Sequence, residues 1–183
     1  MKSLVKKAMR GDKEAFTRLI TQYSSDLYKV ARGILNNTED IADAIQNTIL
    51  ICFEKIDTLK QPNYFKTWMI RILINECNQI IRRYGTQCLL EEFPEVPVGD
   101  KAMEYVEFQQ LMNALDEKYR IVLILYYAEG FRISEIAELL HIPESTVKTR
   151  LSRGRESLAK EYGIDRKKES KLMHIITLQK EVF

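Results

Sequence analysis

Three cysteines, two histidines, seven glycines and four prolines are all that this 183-residue chain holds of the residues that staple, ligate or break regular structure. Cys52, Cys77 and Cys88 are odd in number and far apart, which excludes the disulfide framework of a small secreted domain. His141 and His174 stand alone, so no zinc-ligand spacing exists. No apolar run approaches the ~20 residues needed to cross a bilayer. The stretch MKSLVKKAMRGDKEAF lacks the apolar block of a secretory signal. These absences lead to an expectation of a soluble, cytoplasmic chain with reduced thiols, no metal, no other cofactor and no membrane insertion. Enzyme chemistry has no foothold either. Ser/His/Asp, Cys/His and glycine-rich phosphate-binding constellations are all missing.

What is present favours helices. The apolar fraction of 45% is enough for a core, and Leu, Ile, Glu and Lys abound. The net charge of +2 says little, but its distribution is informative. Residues 1–84 hold 14 basic against 9 acidic side chains, residues 85–107 hold 1 against 6, and residues 108–183 hold 13 against 11. An acidic strip therefore separates two basic ends.

Helical periodicity dominates both ends. Asp12 is placed to cap a helix carrying Phe16, Leu19, Ile20, Tyr23, Leu27, Val30 and Ile34. The turn-prone NNT ends it, and EDIADAIQNTILICFEKI forms a second helix. Pro62 disfavours helix at Gln61 and so separates this from a third, YFKTWMIRILINECNQIIRRY, apolar on much of its circumference. GTQCLLEEFPEVPVGDK breaks the pattern with prolines, glycines and acids, as a linker does. Helices resume at MEYVEFQQLMNAL, Asp116 is placed to cap EKYRIVLILYYAE, and Gly130 to close it. The expected fold is all-α, with two small helical domains. The first covers 1–84, the acidic linker 85–103, the second domain 104–162, and a basic, amphipathic tail 163–183.

The second domain ends in FRISEIAELLHIPESTVKTRLSRGRESLAK. Ser134 is placed to cap a short helix with Ile136, Ala137 and Leu140 inward. Pro143 then opens the next helix. At about 100° per residue, Val147, Leu151, Gly154 and Leu158 fall on one stripe. Ser145, Thr149 and Ser152 lie opposite, flanked by Lys148 and Arg155 on one side and Arg153 on the other. His141, where a turn glycine is common, must take a positive φ, which histidine tolerates better than branched residues. A basic amphipathic helix can simply present a solvated face. The short preceding helix, tight turn and matched stripes instead point to a helix-turn-helix that enters the major groove, hydroxyls toward base edges and cations toward phosphates.

That motif alone would also suit a response-regulator output domain, but the N-terminal half lacks a phosphoacceptor aspartate after a strand. GDKEAFTRLITQY, DIADAIQNTIL and FKTWMIRILINECNQIIRR resemble sigma domain two of bacterial RNA polymerase sigma factors. The segment from Leu115 to Lys160 resembles sigma domain four. With only a short linker between them, the chain resembles an extracytoplasmic function (ECF, group IV) sigma factor.

The resemblance implies core RNA polymerase, promoter DNA and an anti-sigma factor as partners. It implies that Asp43, Gln46 and Asn47 dock on the coiled coil of the polymerase's largest subunit, with Asn47 where relatives often carry an acid. Lys60, Gln61 and Asn63, in the loop TLKQPNYF, would hold an unstacked base of the −10 element. Arg71, Asn75, Arg82 and Arg83 would hold the strand along the third helix, where Gln79 replaces a familiar acid. Trp68 and Phe65 read as core rather than as stacking platforms. Ser145, Thr146, Lys148, Thr149, Ser152, Arg153 and Arg155 would meet the −35 element. Glu91, Glu92, Glu95 and Asp100 either mimic nucleic-acid phosphates in the polymerase channel or merely solvate a strap. The tail segment around Leu172, Ile175, Ile176 and Gln179 packs on the second domain or frays, or else docks a partner such as an anti-sigma factor.

Overall fold

Local chemistry sets the ends of the first three helices. The α1 helix (Lys2–Met9) stops at a turn where Gly11 takes φ +89°. A Cβ there would meet nothing within 4 Å, so backbone conformation, not space, makes the position suit glycine. Asp12 Oδ1 accepts the Ala15 N–H at 2.9 Å and starts α2 (Lys13–Ile34). Leu35 turns extended, and Asn37 Oδ1 then accepts from Glu39 N at 2.7 Å and Asp40 N at 3.3 Å to start α3 (Thr38–Lys55).

The structure, a computed structural model, describes residues 1–84 and 115–161. The acidic linker, the helix expected near 103–114, Cys88 and the tail with His174 lie outside the described residues. Among the described residues every regular element is helical, as the all-α expectation requires. None of these helices is long and apolar enough to cross a membrane. The chain divides into two units, Met1–Leu90 and Glu91–Phe183.

In the first unit α2, α3 and α4 (Phe65–Tyr84) pack on one another. Leu19, Leu27 and Val30 from α2 meet Ile41 and Ala44 from α3 and Met69, Ile70, Leu73 and Cys77 from α4, all at 2% exposure or less. Each such large side chain contributes about 1.5–3 kcal/mol on leaving water. Burial pushes the Cys52 thiol up to about 12, so it stays protonated and inert. Two 3-10 turns, Ile56–Thr58 and Pro62–Tyr64, link α3 to α4, and α1 packs on both of them as well as on α2. Half-buried Lys66, at the start of α4, pairs with Asp26 of α2 at 2.9 Å.

The first described helix of the second unit is α5 (Glu117–Leu123), which widens into a π-helical stretch, Ile124–Ala128. There Glu129 N–H donates to Ile124 O at 3.0 Å, and Gly130 at φ +72° closes the segment. The helix α6 (Ile133–Leu140) follows, then α7 (Glu144–Glu161).

Several expectations need correction. Asp116 occupies the N-cap of α5, but its carboxylate binds Lys118 Nζ at 2.9 Å instead of capping. Ser134 does not cap α6. The helix starts two residues earlier than a Ser134 cap would set it, with Arg132 at the N-cap, because Glu135 reaches back to accept the Arg132 N–H at 2.8 Å. Ile136 and Leu139 are the buried residues of α6, while Ala137 and Leu140 are half-buried. Phe65 is core at 1% exposure; Trp68 is half-buried, its ring 6.1 Å from that of Phe65.

Candidate nucleic-acid interface

The helix-turn-helix of the second unit is built around one strained residue. His141 sits in the left-handed region at φ 53°, ψ 44°, and Ile142 N–H then donates to Ala137 O at 3.0 Å. This is the positive φ that the sequence demanded, and it turns the chain sharply from α6 into α7. Thr146 and Val147 N–H donate to Pro143 O at 2.9 and 3.1 Å, so the chain enters α7 directly from the proline.

Val147, Leu151, Gly154 and Leu158 are all buried, as their stripe predicts. Gly154 is essential to that packing. A Cβ there would lie 2.9 Å from Leu123 Cδ1, 3.3 Å from Leu123 Cγ and 3.3 Å from Tyr119 Cβ. The glycine lets α7 approach α5 closely and holds the opposite face outward.

On that outer face Ser145, Lys148, Thr149 and Arg153 are exposed, and Thr146 is half-buried. The Thr149 hydroxyl donates back to Ser145 O at 2.9 Å. Two residues of the expected set differ from this pattern. Arg155 is half-buried with Nε donating to Leu151 O at 3.3 Å, because it lies only about 80° from Val147, at the edge of the buried stripe. Ser152 is half-buried and its hydroxyl donates to Glu156 Oε1 at 3.3 Å, an acid the sequence reading passed over. Arg132 was missed as well. It is exposed at the start of α6 and lines an open cleft with Ser134, Glu144 and Lys148. Its signal in the sequence was only its place one residue before a short helix.

The first unit carries two distinct polar regions. In the loop before α4, Ile56, Leu59 and Phe65 are buried anchors, while Lys60, Gln61, Asn63 and Tyr64 are exposed between them. Gln61 is extended at φ −139°, ψ 127°, and its carbonyl accepts the Tyr64 N–H at 3.1 Å. Tyr64 is 59% exposed. Neither Trp68 nor Phe65 offers such an open ring, and Tyr64 was overlooked because it directly precedes the apolar helix. Along α4, Arg71, Asn75, Arg82 and Arg83 are all exposed. The first three fall within about 40° of one another, whereas Arg83 lies about 100° further round. Gln79 Nε2 donates to Glu76 Oε1 at 2.8 Å, so an acid remains in its neighbourhood.

On α3, Asp43, Gln46 and Asn47 are exposed together on one face. Leu50 continues that face at 60% exposure, and Phe53 borders it at 48%, its ring 5.2 Å from Phe16. Both are out of phase with the buried Ile41, Ala44, Thr48 and Cys52. That phase was the available signal, masked by the apolar run in which they sit. At the far end, Tyr84 OH donates to Asp40 Oδ1 at 2.9 Å and ties α4 to α3.

Comparison with known proteins places these surfaces in context. Residues 19–86 match the model for Sigma-70 region 2, and residues 105–158 match Sigma-70, region 4. The chain is 31% identical over 179 residues to the ECF RNA polymerase sigma factor SigW of Bacillus subtilis (strain 168), covering 88% of this chain and 96% of that one. To the ECF RNA polymerase sigma factor SigM of Mycobacterium tuberculosis (strain ATCC 25618 / H37Rv) it is 26% identical over 156 residues, covering 84% and 80%. Its fold resembles that of the sigma factor RpoE in complex with the anti-sigma factor NepR from Bartonella quintana, with a TM-score of 0.72, 24% identity, and coverage of 82% of this chain and 98% of that one. It also resembles CnrH in complex with the cytosolic domain of CnrY, with a TM-score of 0.65, 22% identity, and coverage of 90% and 97%.

Proposed function

The chain belongs to the extracytoplasmic function (ECF) sigma factors of the sigma-70 family, whose members confer promoter recognition and transcription initiation, and we propose how its residues divide that work. The exposed hydroxyl-and-cation face of α7, held outward by the Val147–Leu151–Gly154–Leu158 stripe, carries the assignment. Ser145, Thr146 and Thr149 read base edges of the −35 element, while Lys148 and Arg153 neutralise phosphates. Arg132, across the cleft from Lys148, adds a backbone contact. Ser152 and Arg155 join only by leaving Glu156 and the Leu151 carbonyl.

The first unit opens the −10 element. Opening needs no covalent chemistry, only tighter binding of the unstacked state than of the duplex. Lys60, Gln61 and Asn63 hold the strand and base edge, Tyr64 offers its ring as a stacking surface, and Arg71, Asn75 and Arg82 follow the backbone, with Arg83 on the adjoining face. Asp43, Gln46 and Asn47, extended by Leu50, face core RNA polymerase. The chain is a dissociable specificity subunit with no catalysis of its own, acting in the cytoplasm where polymerase and promoters meet. An anti-sigma factor is a further partner, as NepR is for RpoE in their complex.

Run-off transcription from fragmented host DNA with purified core polymerase tests this reading. Adding the chain produces new start sites that share two spaced elements. Lys148→Ala weakens binding to all of them and flattens the salt dependence by about 0.9 in log–log slope. Thr149→Ala instead changes which −35 sequences are chosen. No new start sites, from a chain that still binds DNA, would return it to the conventional regulators.

A further inference from the structure

The helix α1 lies outside the segment matched to region 2 and has no part in the assignment above. Its sequence, KSLVKKAM, contains no acid, and Arg10 follows directly. Val5 and Ala8 are buried, at 1% and 2% exposure. Lys2, Lys6 and Arg10 follow one another at i, i+4 and i+8, so they form a row along a different side, each step rising about 6 Å. All three are exposed. Among the described residues, none makes a side-chain hydrogen bond or ion pair. Two other cations of the same unit are paired, Arg18 with Glu14 at 2.6 Å and Lys66 with Asp26 at 2.9 Å.

The position of the row gives it a partner. The helix packs on the two turns, Ile56–Thr58 and Pro62–Tyr64, that bracket the base-holding loop. Lys60 stands exposed in that loop, and Asp57, exposed in the first turn, is the single acid between Ile56 and Tyr64. A cationic row without a side-chain partner among the described residues, on a helix packed against the turns of the loop proposed to face single-stranded DNA, is complementary to a polyanion with regularly spaced charges.

We infer that Lys2, Lys6 and Arg10 of α1 form a phosphate rail for the promoter strand bordering the base held by the Lys60–Tyr64 loop. The inference rests on the promoter-opening role proposed above. The rail fixes the strand's path without reading its sequence, because point contacts to phosphate carry no base information. It also makes strand capture more dependent on salt.

The test uses holoenzyme assembled from core polymerase and the full chain. The probe is a promoter fragment recovered by run-off transcription, with its −10 region pre-opened as a mismatched bubble. Plotted against log salt, log K for the triple variant Lys2→Ser/Lys6→Ser/Arg10→Ser loses about 2 from its slope, at about 0.7 per single-strand phosphate. Lys6→Ser alone loses about 0.7 by the same rule. Lys7→Ser, equal in charge but about 100° round the helix, changes nothing. Replacing the phosphates beside the held base with neutral methylphosphonates brings wild type down to the triple variant, which shows the contact without any protein substitution. Equal slopes for wild type and triple variant, or equal losses from Lys6→Ser and Lys7→Ser, overturn the rail while leaving the sigma role standing. So does a triple variant whose defect is in core binding, which would make the row a contact for an acidic protein face. Wild-type holoenzyme that fails to bind the fragment overturns the sigma role and the rail with it.

Discussion

His141 shows how one residue's backbone can hold a binding element in place. Left-handed conformation costs a non-glycine residue about 1–2 kcal/mol, and nothing in the side chain's surroundings offsets it, since the ring is exposed and makes no hydrogen bond among the described residues. Replacing His141 with Gly is expected to stabilise the helix-turn-helix by about 1 kcal/mol, read by slower hydrogen exchange of α7 amides, with −35 DNA affinity unchanged. Tyr64 is the converse case, a residue whose worth lies in the side chain. With its ring 59% exposed between Lys60 and α4, Tyr64→Ala is expected to slow open-complex formation about tenfold, within the range for loss of one base–aromatic stack. Permanganate reactivity of the opened strand measures it. Tyr64→Phe is expected to keep the wild-type rate, because in the proposed contact the ring face and not the hydroxyl meets the base.

The helix α7 has two faces that depend on each other. Alanine would favour the helix at position 154 by about 1 kcal/mol on propensity alone. Its Cβ would press on fully buried Leu123 and on Tyr119, and overpacking of this kind costs about 1–3 kcal/mol. Packing wins, so Gly154→Ala is expected to destabilise the second unit by about 1 kcal/mol. Faster hydrogen exchange across α5 and α7, together with weaker −35 binding, would register it. This stripe was legible in the sequence because it obeys a 3.6-residue period with polar residues opposite. The π-helical stretch Ile124–Ala128 was not. Ile121 to Leu125 are all buried, so the segment has no solvated side from which a period could be read. The start of α6 was missed for a related reason: a glutamate reaching back to a main-chain N–H leaves a weaker mark than a capping hydroxyl.

On the proposed assignment the first unit serves two partners from different surfaces, polymerase on α3 and DNA on α4 and its preceding loop. The two tasks should therefore separate by mutation. Leu50 is 60% exposed and belongs to no internal core, so Leu50→Ala is expected to leave stability untouched. It should weaken holoenzyme assembly about tenfold, in the range of an apolar interface anchor, while −35 binding by the free chain stays the same. Titration of labelled core polymerase with wild type and variant compares them directly.

What could be read without coordinates was whatever nearest neighbours along the chain decide: the helical class, the cap at Asp12, the break at NNT, the stripe of α7 and the positive φ at His141. These follow from periodicity, main-chain hydrogen bonding and steric limits on φ, all of which act within a few residues. Tertiary packing alone decided that Leu50 and Tyr64 stand open, that Arg155 folds back on its own helix, and that α1 packs on the turns around Lys60. Exposure and adjacency depend on which distant segments cover a side chain or leave it to water, and no local pattern contains that information.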